Sequence, residues 1–165
     1  MIEVSEREQT MPKKRMVDAA LMDSIASSLL EALPVFPKKL LGIDMLQRNH
    51  RIPLSHIQIL VMLRDGDLSV GDLSRRLGIA KPNITPLIDS LRDEGLVERI
   101  RSDGDRRVVN IHLLPAGQVR LAEVRASLGG MASLWGERLN RSEAKELNNA
   151  LASLLRILGS LTEGE

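Results

Sequence analysis

Apolar residues recur at helical spacing along most of the chain. From Val17 to Leu33 they fall at every fourth position, which places them on one face of a helix. Pro34 and Pro37 then interrupt this pattern. Because a proline pushes the preceding residue out of the helical conformation, we predict that residues 38–49 form a separate or kinked helix.

Three short helices are predicted in the middle of the chain. Ser55 is expected to cap the first, because a glutamine three residues later completes a capping box. Ser69 is expected to cap the second, which ends at Gly78. The third begins near Lys81 and ends at Gly95. A short helix, a tight turn with glycine and a longer helix form the pattern of a helix-turn-helix.

Strand-like alternation is confined to the region between Leu96 and Leu114. Residues 96–101 are rich in strand formers, Asp103-Gly104 is a turn signal, and apolar residues alternate with polar ones over residues 109–113. We predict a two-stranded hairpin here. A hairpin placed directly after a helix-turn-helix is a wing, so the predicted fold is mostly α, a winged helix-turn-helix with a small α/β part.

The two ends of the chain carry further apolar helical faces. A helix is predicted from Pro115 past Trp135, and a last helix from about Ser142 carries a leucine stripe. These faces exceed what one small core absorbs, which favours an interface between identical chains. The predicted dimer interface comprises Val17, Leu21, Ile25, Leu147, Leu151, Leu154 and Leu158. Packing of these helices within their own chain is the alternative.

The predicted organisation has four parts. Residues 1–15 form a flexible N-terminal tail, and residues 16–53 form a helical dimerisation segment. Residues 54–114 form the winged lobe, and residues 115–165 supply the C-terminal helices of the dimerisation region. A chain of 165 residues is long enough for one domain with a substantial core.

Composition excludes several classes of function. Cysteine is absent, which removes disulfides and thiol chemistry, and the net charge is +1, so overall charge does not indicate a polyanionic partner. The aromatic residues are Phe36 and Trp135, too few for a single-strand stacking platform. The start of the chain lacks the features of a secretory signal and no segment reads as a membrane span, so we expect a cytoplasmic protein without a membrane partner.

The central segments resemble those of one family, the MarR (multiple antibiotic resistance regulator) family of bacterial winged-helix repressors. LSHIQIL at residues 54–60 and LSVGDLSRRLG at 68–78 resemble its second and third helices. KPNITPLIDSL at 81–91 resembles its recognition helix, and residues 95–111 resemble its wing. The resemblance implies a homodimeric repressor that binds a near-palindromic operator and is released by an anionic or aromatic ligand. A regulator without any effector is the alternative. Pro86 departs from the pattern, since many members have an arginine there.

The recognition helix and the wing carry the candidate DNA contacts. Lys81 suits a phosphate or a guanine, Asn83 suits bidentate pairing with adenine, and Thr85 suits a phosphate or a thymine methyl. Two wing arginines beside carboxylates suit a narrow minor groove, a role that the resemblance supports. The predicted DNA-binding residues are Arg75, Lys81, Pro82, Asn83, Thr85, Arg101, Asp105, Arg106 and Arg107. Taken alone, such residues also fit solvated turns and helix starts.

The three histidines do not suggest an enzyme. His50, His56 and His112 are far apart in sequence, and the chain has no zinc-protease pair, nucleophile motif or phosphate loop. No catalysis, cofactor or metal is expected. His50 is a candidate for the border of an effector pocket, with a plain surface histidine as the alternative. A winged-helix module for protein assembly remains the alternative function, distinguished by the lack of salt-dependent DNA affinity.

Overall fold

The computed structural model describes residues 18–40, 42–101 and 109–162. Contacts divide the chain into two units, residues 1–40 and 41–165. The elements in chain order are α1 (Ala19–Ala32), a π-helical turn (Phe36–Leu40), α2 (Ile43–His50), α3 (Leu54–Met62), a 3-10 turn (Leu63–Asp65), β1 (Leu68–Ser69), α4 (Val70–Leu77), α5 (Lys81–Asp93), β2 (Val97–Arg101), β3 (Val109–Leu113), α6 (Pro115–Gly136) and α7 (Arg141–Thr162). None of the described helices is long and apolar enough to cross a membrane.

The first unit contains α1 and the π-helical turn. The Asp18 carboxylate caps α1 by accepting a hydrogen bond from the Ala20 amide at 3.2 Å. The helix stops at Ala32, just before the first of the two prolines that predicted a break. Apolar side chains of α1 are exposed, Leu21 by 53% and Ile25 by 45%. The predicted interface residue Val17 lies outside the described residues.

Helix α3 begins earlier than the sequence predicted. Its N-cap is Pro53, whose carbonyl oxygen accepts hydrogen bonds from the amides of His56 at 3.0 Å and Ile57 at 3.2 Å. Ser55 therefore lies within the first helical turn and is not the cap. The prediction of a capping box at Ser55 was wrong, because the extended conformation before the helix falls at the proline.

The two helices of the helix-turn-helix start and stop as predicted. The Ser69 hydroxyl accepts a hydrogen bond from the Asp72 amide at 3.1 Å, which caps α4. Gly78 ends α4 with a φ of 63°, a left-handed conformation that favours glycine. Helix α5 follows after two residues, and Gly95 closes the turn behind it with a φ of 70°. The hairpin strands β2 and β3 lie immediately downstream.

The sheet has one strand more than the predicted hairpin. Its order is β1-β3-β2, with both pairs antiparallel. Leu68 of β1 pairs with Ile111 of β3, and on the other side of β3 Val97 of β2 pairs with Leu113. A strand of two residues is too short to show alternation, so its sequence gives no signal. The short strand joins the wing to the start of α4.

One hydrophobic core lies beneath the wing and the helix-turn-helix. Its largest fully buried side chains are Ile59, Leu60, Leu73, Ile84, Ile88, Leu91, Val97 and Ile111. The same cluster includes Leu46 of α2, Ile52 between α2 and α3, and Val124 of α6. The winged lobe is therefore built against α2 and α6, which hold its helices in fixed relative positions.

The long helix α6 packs closely where it leaves the sheet. Pro115 occupies its first turn, as predicted, where a missing amide is harmless. Gly117 is buried, and a Cβ atom there would overlap the Leu96 carbonyl oxygen and the Leu113 side chain. The helix continues unbroken through Gly129 and Gly130. Glycine at position 117 thus permits the close approach of α6 to the root of the wing.

Candidate nucleic-acid interface

The first turn of α5 projects its side chains into solvent. Lys81, Pro82 and Asn83 are exposed, whereas Ile84 and Ile88 on the opposite face are completely buried. The apolar face therefore sets the rotation of the helix, and that rotation directs the polar residues outward. The N-cap residue of α5 makes no side-chain hydrogen bond, so the positive end of the helix is left open.

The Lys81 side chain lies across the start of α4. A Cβ atom at Gly71 would lie 3.5 Å from Lys81 Cε and 3.6 Å from Lys81 Nζ. Gly71 belongs to the first turn of α4, so the ammonium sits where the beginnings of both helices come together. Among the described residues, no carboxylate is within ion-pair distance of Lys81. Its charge is available to a ligand.

Thr85 has already used its hydroxyl hydrogen. The hydroxyl donates to the Lys81 carbonyl oxygen at 3.0 Å, within the same helix. Its methyl group and its oxygen lone pairs remain for an outside partner. Pro86 follows inside α5 and removes one helical amide donor, yet the helix continues to Asp93.

Arg75 and Arg101, two of the predicted DNA-binding residues, lie in different surroundings. Arg75 pairs with Asp72 at 3.2 Å on the same helix. The Ser69 hydroxyl, hydrogen-bonded to Asp72 at 2.6 Å, lowers the pKa of that carboxyl, and Arg75 lowers it further. Arg101 is exposed at the end of β2, and within the described part of the chain it has no ion-pair partner. Of these two cations, Arg101 is therefore the one without a carboxylate partner among the described residues.

The tip of the wing falls outside the described residues. This covers the predicted contacts Asp105, Arg106 and Arg107, which remain predictions. The base of the wing is described, and His112 Nδ1 of β3 lies 2.7 Å from Asp67 Oδ1, just ahead of β1. This side-chain contact adds to the backbone pairing of β1 with β3.

Sequence reasoning missed an ion cluster at the far end of α5. Arg92 and Arg99 both approach the same oxygen of Asp89, at 3.2 Å and 3.0 Å. The three-residue spacing of Asp89 and Arg92 is visible in the sequence and predicts contact on a helix. No sequence signal identifies Arg99, because its approach depends on how β2 folds back against α5.

His56 is a buried histidine next to the end of α5. Its side chain is almost fully enclosed, and Nδ1 lies 3.8 Å from Glu94 Oε1 without a hydrogen bond. Burial lowers the pKa of His56, and the nearby Glu94 carboxylate offsets only part of that effect. The neutral imidazole is therefore the form that the fold favours.

The predicted effector residue His50 lies between two helices. Its Nε2 is 2.8 Å from the Ser127 hydroxyl oxygen, which links α2 to α6. A separate groove of about 710 Å³ lies between the end of α3 and another face of α6. Its lining residues are Val61, Arg64, Leu113, Gln118, Leu121, Ala122, Val124, Arg125 and Leu128. His50 is not among them, so its role as a ligand contact stays a prediction.

The fold and the exposed start of α5 define a winged helix-turn-helix protein. A family model described as the MarR family matches residues 52–108, which hold the helix-turn-helix and part of the wing. The match covers about a third of the chain, so the likeness to the MarR family is shown for this central segment. The segment that the sequence motifs likened to this family is the segment that matches, and the observed elements confirm the predicted fold class.

Individual relatives agree with this placement. The HTH-type transcriptional regulator YsmB of Bacillus subtilis is 46% identical over 36% of this chain, and the match spans 40% of that regulator's length. The HTH-type transcriptional repressor MdtR of the same organism is 23% identical over 67% of this chain and 74% of its own length. The relatives are thus named regulators and repressors of transcription.

A solved structure supports the fold over most of the chain. The crystal structure of CouR from Rhodococcus jostii RHA1, bound to p-coumaroyl-CoA, aligns with a TM-score of 0.61 at 19% identity. The alignment covers 83% of this chain and 95% of CouR. It therefore extends the likeness beyond the winged lobe into the flanking helices.

Proposed function

We propose that this protein is a sequence-specific regulator of transcription that binds double-stranded DNA. The observation that carries the proposal is the exposed first turn of α5, where Lys81 and Asn83 project from a helix whose other face is locked in the core. A helix presented in this way enters the major groove with its first residues against the base edges. Binding rather than catalysis is the proposed role, carried out in the cytoplasm.

Each of the following predicted contacts has a proposed partner on the DNA. The Lys81 ammonium binds a phosphate or a guanine, and the Asn83 amide pairs with an adenine. The Thr85 methyl contacts a thymine methyl, since the Thr85 hydroxyl hydrogen is used within the helix. Arg101 contacts the backbone, while Arg106 and Arg107 at the wing tip enter the minor groove.

We further propose that the protein acts as a homodimer on a near-palindromic operator. The support is the exposure of apolar side chains on α1 and α7, including Leu154 at 39% and, seven residues later, Leu161 at 66%. Leucines at this spacing form one helical stripe, and a stripe of this kind is normally covered. A two-fold dimer presents two recognition helices about one DNA turn, roughly 34 Å, apart.

The proposed sign of regulation is repression, relieved by a small amphiphilic anion. The repressor name of MdtR supports the sign. The groove between α3 and α6 supports the ligand class, because Leu121 and Leu128 give it an apolar wall and Arg125 has no carboxylate partner among the described residues. CouR, which is bound to p-coumaroyl-CoA in its crystal structure, supplies the probes p-coumarate and p-coumaroyl-CoA.

The DNA-binding proposal is tested by fluorescence anisotropy. Labelled DNA from upstream of the gene that encodes this protein is titrated with the protein at several salt concentrations. A labelled duplex of scrambled sequence is titrated in the same way. We expect tight, salt-sensitive binding that prefers the upstream DNA, and Asn83→Ala is expected to weaken that preference by about tenfold. The control Arg138→Ala removes a charge from the turn after α6 and leaves binding unchanged. Equal, weak binding to both duplexes would favour a protein-assembly module instead.

The ligand proposal is tested on the same protein–DNA complex. We expect p-coumarate or p-coumaroyl-CoA to release the upstream DNA, and Arg125→Gln to require a higher ligand concentration. Arg141→Gln, at the start of α7 outside the groove lining, is the matched charge control. Ligand binding to the free protein without any change in DNA affinity would contradict the proposed release, because a ligand shifts an equilibrium only by preferring one state.

A further inference from the structure

The ion cluster at Asp89 contains one contact that stays within a helix and one that crosses to the wing. Arg92 Nη1 lies 3.2 Å from Asp89 Oδ1 and is three residues further along α5. Arg99 Nη2 lies 3.0 Å from the same oxygen but belongs to β2. That oxygen is shielded from solvent and makes no hydrogen bond, so both contacts are ion pairs without hydrogen-bond geometry. The two arginines are thus chemically alike and structurally different, since Arg99 alone of the two ties α5 to the strand.

Two other kinds of contact hold β2 to α5. Ile88 and Leu91 of α5 and Val97 of β2 are buried in the shared core, where close packing limits their movement. The Leu96 amide, just before β2, donates a hydrogen bond to the Leu91 carbonyl oxygen at 2.9 Å. These contacts lie at the start of β2, whereas Arg99 is further along the strand, so its attraction to Asp89 adds a restraint away from that root.

Asp89 lies far enough from the DNA-contacting turn that a small change in the angle of α5 at Asp89 moves that turn considerably. Lys81 lies eight positions before Asp89, which corresponds to about 12 Å along a helix. A tilt of roughly 10° about Asp89 therefore moves the first turn of α5 by about 2 Å. A shift of this size breaks hydrogen bonds to base edges, which tolerate only a few tenths of an ångström.

We propose that Asp89 is a positioning residue for DNA recognition and acts through Arg99. The pair holds α5 at a fixed angle to β2, so that Lys81 and Asn83 on the helix and Arg101 at the end of the strand face one DNA surface together. The proposal rests on the proposed function, in which α5 reads the operator. Neither member of the pair needs to contact DNA.

Two matched variants separate positioning from loss of charge. Arg99→Gln and Arg92→Gln each remove one positive charge from the same carboxylate oxygen. We expect Arg99→Gln to weaken binding to upstream DNA by about tenfold, the scale of one lost base contact. Its affinity for scrambled DNA should change by no more than that of Arg92→Gln. Arg92→Gln is expected to leave the preference for upstream DNA intact. Equal loss of preference in both variants would overturn the proposal.

A double-mutant cycle distinguishes positioning from direct contact of Arg99 with a phosphate. If the pair acts as a unit, Asp89→Asn reproduces the effect of Arg99→Gln, and the double variant is no weaker than either single one. If Arg99 binds a phosphate itself, Arg99→Gln weakens both duplexes equally and Asp89→Asn does not weaken them, which contradicts the proposal. Thermal melting identifies a variant that fails to fold, and Arg99→Lys then serves as the milder substitution.

A measurement without DNA tests the positioning itself. Because the chain has no cysteine, Asn83→Cys and Glu98→Cys allow a spin label on the exposed start of α5 and another on β2. Labelled chain is mixed with excess unlabelled chain, so that distances within one chain dominate. We expect Arg99→Gln, but not Arg92→Gln, to broaden the distance distribution. An unchanged distribution would overturn the proposal. Broadening in Arg99→Gln, together with no binding of upstream DNA by the unlabelled parent protein, would count against the proposed function alone.

Discussion

The buried imidazole of His56 makes the fold sensitive to acid. Burial lowers the pKa of His56 below its ordinary value of 6.5, so the unfolded chain takes up a proton at a higher pH than the folded chain does. Stability from this residue is therefore complete above pH 6.5 and decreases as the pH falls below it. We expect His56→Gln to show a smaller loss of unfolding free energy between pH 7.5 and about 5.5 than the parent protein, measured by urea denaturation.

The comparison is made with the parent protein over the same pH range. An acid-dependent loss of unfolding free energy as large in His56→Gln as in the parent would show that burial of His56 is not the cause.

The surroundings of a residue were predictable where neighbouring sequence determines them. They were not predictable where residues distant in the chain determine them. The exposure of Lys81 and Asn83 follows from the helical pattern of α5, and both were singled out from sequence. The partner of Asp89 on β2 and the burial of His56 depend on tertiary packing that no local pattern reports. Arg75 lies between these cases, since its pairing with Asp72 reflects simple helical spacing.

At the scale of the element, the cap of α4 is a testable feature of the helix-turn-helix. Ser69 accepts a hydrogen bond from the Asp72 amide, whereas Ser55 lies inside the first turn of α3 and caps nothing. We expect Ser69→Ala to cost about 1 kcal/mol of unfolding free energy. Ser55→Ala is the control, with an expected loss well below that of Ser69→Ala in the same denaturation assay. A larger loss at Ser55 would restore the capping box that the sequence suggested.

The close approach of α6 to the wing is tested at Gly117. A methyl group there meets the Leu96 backbone and the Leu113 side chain, so we expect Gly117→Ala to destabilise the protein by about 1–3 kcal/mol. Gly129 lies on the same helix with open space around its Cβ position. Gly129→Ala should stabilise the protein by about 0.5–1 kcal/mol, because alanine is the better helix former. The same sign in both variants, in thermal or urea unfolding, would refute the packing argument.

Element boundaries were predictable where proline or glycine marks them. Gly78, Gly95 and Pro115 lie where the sequence placed them, because each acts through its own backbone. The start of α3 was misplaced, since two capping arrangements were possible and Pro53 supplies the one that forms. Strand β1 was missed, because two residues carry no periodicity and their pairing is with a distant strand.

At the scale of the whole molecule, the central question is what covers the apolar faces of α1 and α7. The winged lobe has a closed core, yet leucines of the last helix stay accessible in the single chain. Coverage by a second copy would relate the two recognition helices by a two-fold axis, so one arrangement would account for both the stripes and a palindromic operator. Coverage within the same chain would leave each lobe to bind DNA alone.

Leu154→Glu distinguishes these two arrangements. In a two-fold dimer the change places a charge at two symmetry-related sites. Each site loses the free energy of burying a leucine side chain, about 1.5–3 kcal/mol. We therefore expect a shift toward monomer in analytical ultracentrifugation. Binding to upstream DNA should weaken in parallel, because a single lobe reads only a half-site. Lys145→Glu adds negative charge to the same helix on the opposite face and should stay dimeric. A Leu154→Glu protein that remains dimeric and binds upstream DNA normally would place the interface elsewhere, whereas a monomeric parent protein would rule out the dimer itself.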